Sequence, residues 1–188
     1  MNGKQGKLII ISAPSGAGKG TVISRILEMR PDLTMSVSAT TRAPREGEKD
    51  GVSYHFVSHE QFNDMIKRDE FFEYAEYIGD YYGTPKKPVY DCIRQGKDIL
   101  LEIEVNGAKQ VMDQTPDAIS IFIVCPDIRE LERRLRGRGT DSEEKLAARL
   151  EKARAELECR KDYAHVVVND DVTRAAKEIL SIIYEGKE

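Results

Sequence analysis

The sequence has little of three features that would each point to a particular class of protein. It has 3 cysteines in 188 residues, and Cys92, Cys125 and Cys159 lie far apart. This number and spacing provide neither a disulfide framework nor a zinc site of the C-x-x-C type. The apolar stretch near the N-terminus is too short for a signal peptide or a membrane-spanning helix. We therefore predict a protein of the reducing cytoplasm with no membrane partner.

An excess of basic residues is also missing. The formal net charge is −4 and the isoelectric point is about 5.6. This charge excludes a nucleic-acid-binding protein that works through bulk positive charge, so we predict no nucleic-acid partner. A chain of 188 residues, of which 40% are hydrophobic, is long enough to bury one substantial core. We therefore predict one domain, in which basic residues act only locally.

Apolar runs of strand length alternate with stretches of helical periodicity. Four runs predict strands that are buried on both faces, at residues 8–12, 99–104, 119–124 and 165–169. The stretches between them carry apolar residues three and four positions apart, which is typical of helices with one buried face. Strand, helix and strand in this order predict an α/β fold, with a parallel sheet flanked by helices.

Two segments interrupt this alternation. Residues 35–90 are polar, aromatic and rich in turns, around a short helix that is predicted to open at Ser58 with Gln61 as its capping-box partner. In the second segment, glycines interrupt an arginine-rich helix, and Thr140 and Glu143 are predicted to cap the next helix. We predict a single domain, 1–188, whose parts are a core (1–34, 91–135 and 151–188), an inserted arm (about 35–90) and a lid (about 136–150).

The segment IISAPSGAGKGTV follows the first predicted strand and opens a helix. Gly16 and Gly18 would let backbone N–H groups turn towards phosphate oxygens, and Lys19 would reach the outer phosphates. Against the full pattern G-x-x-x-x-G-K-[ST], Ala13 replaces the first glycine and Gly20 replaces the hydroxyl residue that would bind magnesium. We interpret the segment as a phosphate-binding loop. The alternative is a tight strand-to-helix connection with an exposed lysine.

Motifs along nearly the whole chain resemble those of the guanylate kinase family. In chain order they are APSGAGKGT, SVSATTRAPREGEKDGVSYHF, EFFEYAEYIGDYYGT, LEIEVNGA, RLRGRGTDSEE and VVVND. The resemblance implies a P-loop α/β core with a GMP-binding arm and a lid, and a phosphotransferase that moves the γ-phosphoryl group of ATP to GMP or dGMP. It also implies small-molecule substrates and Mg²⁺ bound with ATP. Whether copies of the chain form a homo-oligomer stays open.

The resemblance further implies a role for each matching residue. The residues that would hold the GMP phosphate are Ser38, Arg42, Arg45, Tyr54 and Tyr82, and those that would read guanine are Glu73, Thr84 and Glu104. ATP would bind along Ala13, Pro14, Ser15, Gly16, Ala17, Gly18, Lys19, Gly20 and Thr21, with Asn169 and Asp170 on its adenine side. The predicted catalytic residues are Lys19, Arg42, Arg138 and Arg149.

The residue types suit the two ends of GMP. A monophosphate is a dianion near neutral pH, and Arg42 and Arg45 can bind it bidentately. Guanine presents N1–H and a 2-amino group as paired donors, and one carboxylate, for which we choose Glu73, can accept both. Adenine lacks both donors, so the same carboxylate would be left unpaired. The other acidic residues of this stretch are interpreted as an exposed face; they are Asp69, Glu70 and Glu76. Of the adjacent tyrosines, Tyr81 is expected to pack inward.

Loss of the hydroxyl at Gly20 need not prevent magnesium binding, because Mg²⁺ keeps several waters and is often held by substrate phosphates. Glu102, at the end of a predicted strand, would orient a magnesium-bound water. The alternative for Glu102 is a strand-end carboxylate that is paired with a nearby lysine or arginine. Guanylate kinases commonly have aspartates where this chain has Glu102 and Glu104.

Three other functions are alternatives to this interpretation. A regulatory GTPase would also use a phosphate loop, but the sequence has no N-K-x-D motif for reading the base. An adenylate kinase would share GKGT, yet the Glu73 region favours guanine. The alternative from a different class is a catalytically silent guanylate-kinase-like module that binds proteins. The presence of Lys19, Arg42, Arg45 and Arg138 argues against it.

Overall fold

The computed structural model describes residues 5–77, 79–137 and 142–185. Its elements in chain order are β1 (Leu8–Ser12), α1 (Lys19–Met29), β2 (Thr34–Met35), β3 (Ala39–Thr40), β4 (His55–Phe56), α2 (His59–Lys67), β5 (Phe71–Tyr77), β6 (Asp80–Pro85), α3 (Lys86–Arg94), β7 (Ile99–Glu102), α4 (Val105–Gln114), β8 (Ile119–Val124), α5 (Ile128–Arg136), α6 (Glu143–Glu158), a 3₁₀ turn (Cys159–Asp162), β9 (His165–Val168) and α7 (Val172–Tyr184).

The central sheet is parallel and has five strands in the order β2-β7-β1-β8-β9. Alternate residues of β1 enter the two layers of core, with Ile9 and Ile11 on one face and Leu8 and Ile10 on the other. Helices α1 and α7 cover the first face, and α4 covers the second. The α/β fold predicted from the alternation is confirmed, and it brings the loops after β1, β7 and β9 to one edge of the sheet.

Two of the four strands predicted for this sheet are shorter than expected. The run 99–104 ends as a strand at Glu102, because Glu104 is the N-cap residue of α4. The run 165–169 ends at Val168 and is not buried on both faces, since Val166 is 44% exposed and Val168 is 37% exposed. Strand β9 lies at the edge of the sheet, so one of its faces is only partly covered.

The helix ends test the capping predictions. Ser58 and Gln61 form the predicted capping box at α2. The box predicted from Thr140 and Glu143 is wrong: Ser142 is the N-cap of α6, and its side chain accepts a hydrogen bond from the Lys145 N–H. Thr140 itself lies outside the described residues. A serine one residue before two glutamates is an equally good cap, and the sequence alone did not separate the two.

A second sheet, in the order β4-β3-β6-β5, lies within residues 35–90. It has a small core of its own, in which Phe62 stacks on Phe71 with ring centroids 4.4 Å apart. Tyr81 stacks on the other side of this cluster, 5.4 Å from Phe62, so the expectation that Tyr81 packs inward is confirmed. Residues 35–90 therefore contain a folded unit with a separate core, which suits an arm on the larger sheet.

Candidate active site

The loop between β1 and α1 has the backbone geometry of a phosphate-binding turn. Gly16 and Gly18 have φ angles of 91° and 85°, a left-handed conformation that favours glycine. Gly18 is the N-cap of α1 and has no side chain to occupy the helix N-terminus, where N–H groups and the helix dipole favour an anion. A Cβ atom at Gly18 would lie 2.6 Å from Nδ2 of Asn169, so the loop packs closely against the residue after β9.

Lys19 is the first residue of α1, and its ammonium group lies at the carboxyl end of β7. Nζ of Lys19 donates a hydrogen bond to the Ile103 carbonyl oxygen at 3.1 Å and lies 3.7 Å from Oε1 of Glu102. Burial lowers the pKa of Lys19 from its ordinary value, and the nearby carboxylates of Glu102 and Glu104 oppose that shift. The pairing that was the alternative interpretation of Glu102 is thus present, and its partner is the loop lysine.

Helix α6 presents three charged side chains to the same loop. Nη2 of Arg149 donates to Oγ of Ser15 at 3.1 Å, and Oε2 of Glu156 accepts from the Ser15 backbone N–H at 3.1 Å. Nζ of Lys152 lies 3.6 Å from Oε1 of Glu156 and 3.7 Å from Oε2 of Glu104. Sequence reasoning missed Lys152 and Glu156. Their spacing from Arg149, three and seven residues, places all three on one helix face and was the available signal.

These groups surround one cavity of about 820 Å³. The predicted residues that line it are Ala13, Pro14, Ser15, Gly16, Gly18, Lys19, Gly20, Thr21, Glu102, Glu104 and Arg149. Tyr77, at the end of β5 in the second sheet, also lines it. The structure therefore brings most of the predicted ATP site together. Arg138, which was predicted to be catalytic, lies outside the described residues.

Ala17 and Asn169 join the loop to the end of β9. Nδ2 of Asn169 donates to the Ala17 carbonyl oxygen at 2.8 Å, while its Oδ1 is buried without a hydrogen-bond partner among the described residues. Arg134, which sequence reasoning did not select, donates to the carbonyl oxygens of Ala17 and Asn169 at 3.3 and 2.9 Å. Asp170 instead pairs with Arg174 at 2.6 Å on the surface.

A second group of predicted residues lies on the arm. Arg42 forms a bidentate pair with Glu48, with N–O distances of 3.0 and 2.9 Å, and its guanidinium lies 5.5 Å from the ring of Tyr54. The ring of Tyr82 lies 6.0 Å from that of Tyr54. The Arg45 backbone N–H also donates to Glu48, at 2.7 Å. Sequence reasoning missed Glu48, which holds the Arg42 guanidinium.

Ser38 lies at the start of the same sheet. Its carbonyl oxygen accepts a hydrogen bond from the His55 N–H at 2.8 Å, and the residue is partly buried. Arg42, Tyr54, Tyr82 and Ser38 are all absent from the lining of the 820 Å³ cavity. The described structure therefore separates the predicted phosphate site for GMP from the phosphate loop.

Glu73, on β5, is a partly buried carboxylate of the arm. Its Oε1 accepts a hydrogen bond from Oγ1 of Thr84 at 2.7 Å. Burial raises the pKa of Glu73 above its ordinary value, and the hydrogen bonds from Thr84 oppose the shift. Glu104, also predicted to read guanine, has a side chain that is 79% exposed and points towards Lys152. Glu73 and Thr84 thus form a fixed pair, whereas Glu104 belongs to the charged rim.

The neighbouring acidic residues lie on the surface, as expected. Oδ2 of Asp69 pairs with Lys86 at 2.8 Å, and Oε1 of Glu70 pairs with Arg68 at 2.8 Å. Glu76 is exposed. The carboxylate side chain of Asp69 is 88% exposed, so it offers no enclosed place for a base.

A magnesium ion would have few protein ligands here. Among the described residues, no three His, Cys, Asp or Glu side chains are grouped as a metal site would require. Oε1 of Glu102 lies 4.0 Å from the position that a Cβ atom of Gly20 would take, which is where a P-loop hydroxyl side chain would begin. A single carboxylate at that point suits an ion held by phosphate oxygens and water.

Comparisons with known proteins agree with this arrangement. A family model described as guanylate kinase matches residues 5–186. The chain is 47% identical over 180 residues to the guanylate kinase of Synechococcus sp. (strain JA-3-3Ab), covering 96% of this chain and 83% of that protein. It is 48% identical over 183 residues to the guanylate kinase of Trichodesmium erythraeum (strain IMS101), covering 97% and 98%.

A solved structure is also similar along the whole fold. The crystal structure of guanylate kinase from Anaplasma phagocytophilum superposes with a TM-score of 0.75 at 34% sequence identity, covering 97% of this chain and 87% of that chain. This likeness extends over both the parallel core sheet and the second sheet. Among the described residues, no helix is long and apolar enough to cross a membrane.

Proposed function

The chain belongs to the guanylate kinase family, and from that premise we propose which of its residues carry out the reaction. It is an ATP-dependent enzyme that transfers the γ-phosphoryl group to GMP and gives ADP and GDP. The observation that carries the residue assignment is the partly buried Glu73 carboxylate on β5, held by Thr84 at 2.7 Å.

Guanine is read by Glu73. One of its oxygens is oriented by Thr84, and the carboxylate accepts N1–H and N2–H of the base. Desolvation makes this selective, because a partly buried carboxylate that faces adenine would lose its partners. Glu104, on the rim beside Lys152, assists from the N-cap position of α4.

The GMP phosphate binds to the arm. Arg42 and Arg45 supply the charge, while Tyr54, Tyr82 and Ser38 supply hydroxyl donors. Glu48 accepts one hydrogen bond from each of Nη1 and Nη2 of Arg42 and so positions the guanidinium, which has further N–H donors for the phosphate.

The ATP phosphates bind along the loop that extends from Ala13 to Thr21. Lys19 and Arg149 border this cavity and stabilise charge on the transferring group, and Arg138 joins them from the lid. The adenine end lies near Asn169 and Asp170.

A GMP phosphate oxygen attacks the γ-phosphorus of ATP, the bond to the β–γ bridging oxygen breaks, and ADP leaves. Positioning and charge stabilisation account for most of such a transfer, so no histidine or cysteine nucleophile is required. Glu102 would orient Mg²⁺ through water, and the ion, bound with ATP, would neutralise phosphate charge. Closure of the arm (about 35–90) and the lid (about 136–150) over the core brings the two phosphate groups together and excludes water.

The substrates are ATP and GMP or dGMP, and we infer a cytoplasmic enzyme because Cys92, Cys125 and Cys159 are free thiols. No contact among the described residues favours the alternative, a catalytically silent binding module. Lys19, the residue such a module could lose without consequence, is held here by Ile103 and Glu102.

The proposal is tested by coupled assay of ADP release with GMP, dGMP and AMP as acceptors. We expect turnover with GMP and dGMP and little with AMP. Lys19→Ala should raise the barrier by roughly 3 kcal/mol or more, a loss of over a hundredfold in kcat, with an unchanged circular dichroism spectrum. Near-normal turnover in a folded Lys19→Ala variant would refute the catalytic assignment.

A further inference from the structure

We propose that Gly107 is a specificity-determining position, whose missing side chain makes room for the Glu73 carboxylate that reads the base. This inference rests on the proposed role of Glu73. A Cβ atom at Gly107 would lie 2.8 Å from Oε2 and 3.2 Å from Cδ of Glu73, and 2.9 Å from Cγ2 of Ile103. Real Cβ atoms do not approach other heavy atoms that closely, so a side chain here must move its neighbours.

The backbone of Gly107 does not itself require glycine. The residue lies in the first turn of α4, and it is not among the described glycines with positive φ. A glycine inside a helix is less favourable than alanine because it loses more conformational freedom. The need for space beside Glu73 is what explains a residue that weakens its own helix.

The surroundings decide which group would move. Ile103 is 4% exposed and lies in the core on the α4 side of the sheet. Thr84, which holds Oε1 of Glu73, is 2% exposed. The carboxylate end of Glu73 is the more mobile partner, because it rotates about its own side-chain bonds. A methyl group at 107 would therefore displace Oε2, the oxygen that Thr84 does not hold.

The consequence is specific to guanine. Oε1 stays on Thr84, while Oε2 turns away from one of the two donors of the base. The three heavy atoms nearest to that methyl position belong to Glu73 and Ile103, and none belongs to the phosphate loop or to the arm residues proposed to bind the GMP phosphate. Gly107 is thus a positioning residue, which acts through Glu73.

The test is steady-state kinetics on Gly107→Ala with GMP and AMP. We expect kcat/KM for GMP to fall roughly tenfold or more, mainly through KM for GMP, with KM for ATP and kcat/KM for AMP nearly unchanged. The unfolding temperature should change little, because alanine favours the helix while Cγ2 of Ile103, 2.9 Å from the new methyl carbon, must shift to make room. Gln110→Ala, an exposed position on the same helix, is the matched control and should change neither preference nor turnover.

A double-mutant cycle separates this proposal from the role of Glu73. If Gly107 acts through Glu73, adding Gly107→Ala to Glu73→Gln should change the GMP/AMP ratio little beyond the single Glu73→Gln change. If Glu73→Gln alone leaves the ratio unchanged, the proposed role of Glu73 fails, and this proposal fails with it. Suppose instead that Glu73→Gln lowers the GMP/AMP ratio. The Gly107 proposal alone is then overturned if Gly107→Ala leaves that ratio unchanged, if it lowers stability instead of the ratio, or if its effect on the ratio adds in full in the double variant.

Discussion

The pKa of Glu73 is raised, and this shift has consequences for the binding of GMP. Burial raises it above the ordinary value of 4.5, and the charge of Glu104 acts in the same direction. A protonated carboxyl group cannot accept from both N1–H and N2–H. We therefore expect the affinity for GMP to fall as pH drops through a midpoint above 4.5, and the affinity for AMP not to show this component.

Isothermal titration calorimetry with both nucleotides between pH 4.5 and 7 measures this. GMP and AMP carry the same phosphate, so the ratio of their dissociation constants cancels phosphate titration and leaves Glu73. The ratio should become independent of pH in Glu73→Gln. A ratio that stays constant in the unsubstituted enzyme would show that no group at the base site titrates in this window.

The same shift affects stability. Because its folded pKa is raised, Glu73 binds more protons in the folded protein than in the unfolded chain. Its contribution to the free energy of unfolding is fully present below pH 4.5 and is lost as pH rises through the folded pKa. At neutral pH the enzyme thus keeps a partly buried carboxylate that lowers the free energy of unfolding. We propose that this carboxylate pairs with the donors of guanine when GMP binds.

Single residues also mark how far the sequence could be interpreted. The loop, Lys19, Glu73 and Thr84 follow from motif and residue type. Glu156 was missed because it lies 141 positions from its partner Ser15, which only folding brings near. Glu48 and Lys152 were missed although each has a partner within six positions along the chain. The chemistry of a carboxylate does not reveal which distant N–H it will accept from.

At the scale of elements, α6 is attached to the phosphate loop by Glu156, whose side chain is 11% exposed. Glu156→Ala removes the acceptor of the Ser15 N–H and should lower the free energy of unfolding by about 1–2 kcal/mol. Glu156→Gln keeps an acceptor oxygen and should lose less. Urea denaturation measures both. Equal losses in the two variants would mean that charge, not the hydrogen bond, decides the contact.

The bounds of helices and strands could be predicted where they depend on the local apolar pattern. They could not be predicted where they depend on how distant elements pack. The bounds of β1 and β8 agree with the apolar pattern. The prediction that β9 is buried on both faces was wrong, because its position at the sheet edge depends on the strand order. The N-cap residue predicted for α6 was wrong, because two adjacent polar segments both fit the capping pattern.

At the scale of the whole molecule, the residues proposed for the two phosphate sites lie in different parts of the structure. Lys19 and Arg149 line the loop cavity, while Arg42 and Tyr54 lie on the sheet of the arm. Transfer requires the groups to converge, so we predict that the arm and the lid close when both nucleotides bind.

Small-angle scattering should give a smaller radius of gyration with an analogue that joins adenosine to guanosine through phosphates. An analogue with adenosine at both ends is the control, and an unchanged radius with the mixed analogue would contradict closure.

The claim on which the account depends is that Glu73 chooses the base. The direct measurement is kcat/KM for GMP and for AMP in the unsubstituted enzyme and in Glu73→Gln, at fixed magnesium and saturating ATP. Glutamine turns one acceptor into a donor that faces a donor. The value for GMP should therefore fall roughly ten- to several-hundredfold, the value for AMP should fall far less, and the preference should collapse. Glu70→Gln, at an exposed neighbour paired with Arg68, is the control and should keep the preference. If the GMP/AMP ratio is the same in Glu73→Gln as in the unsubstituted enzyme, Glu73 does not read guanine.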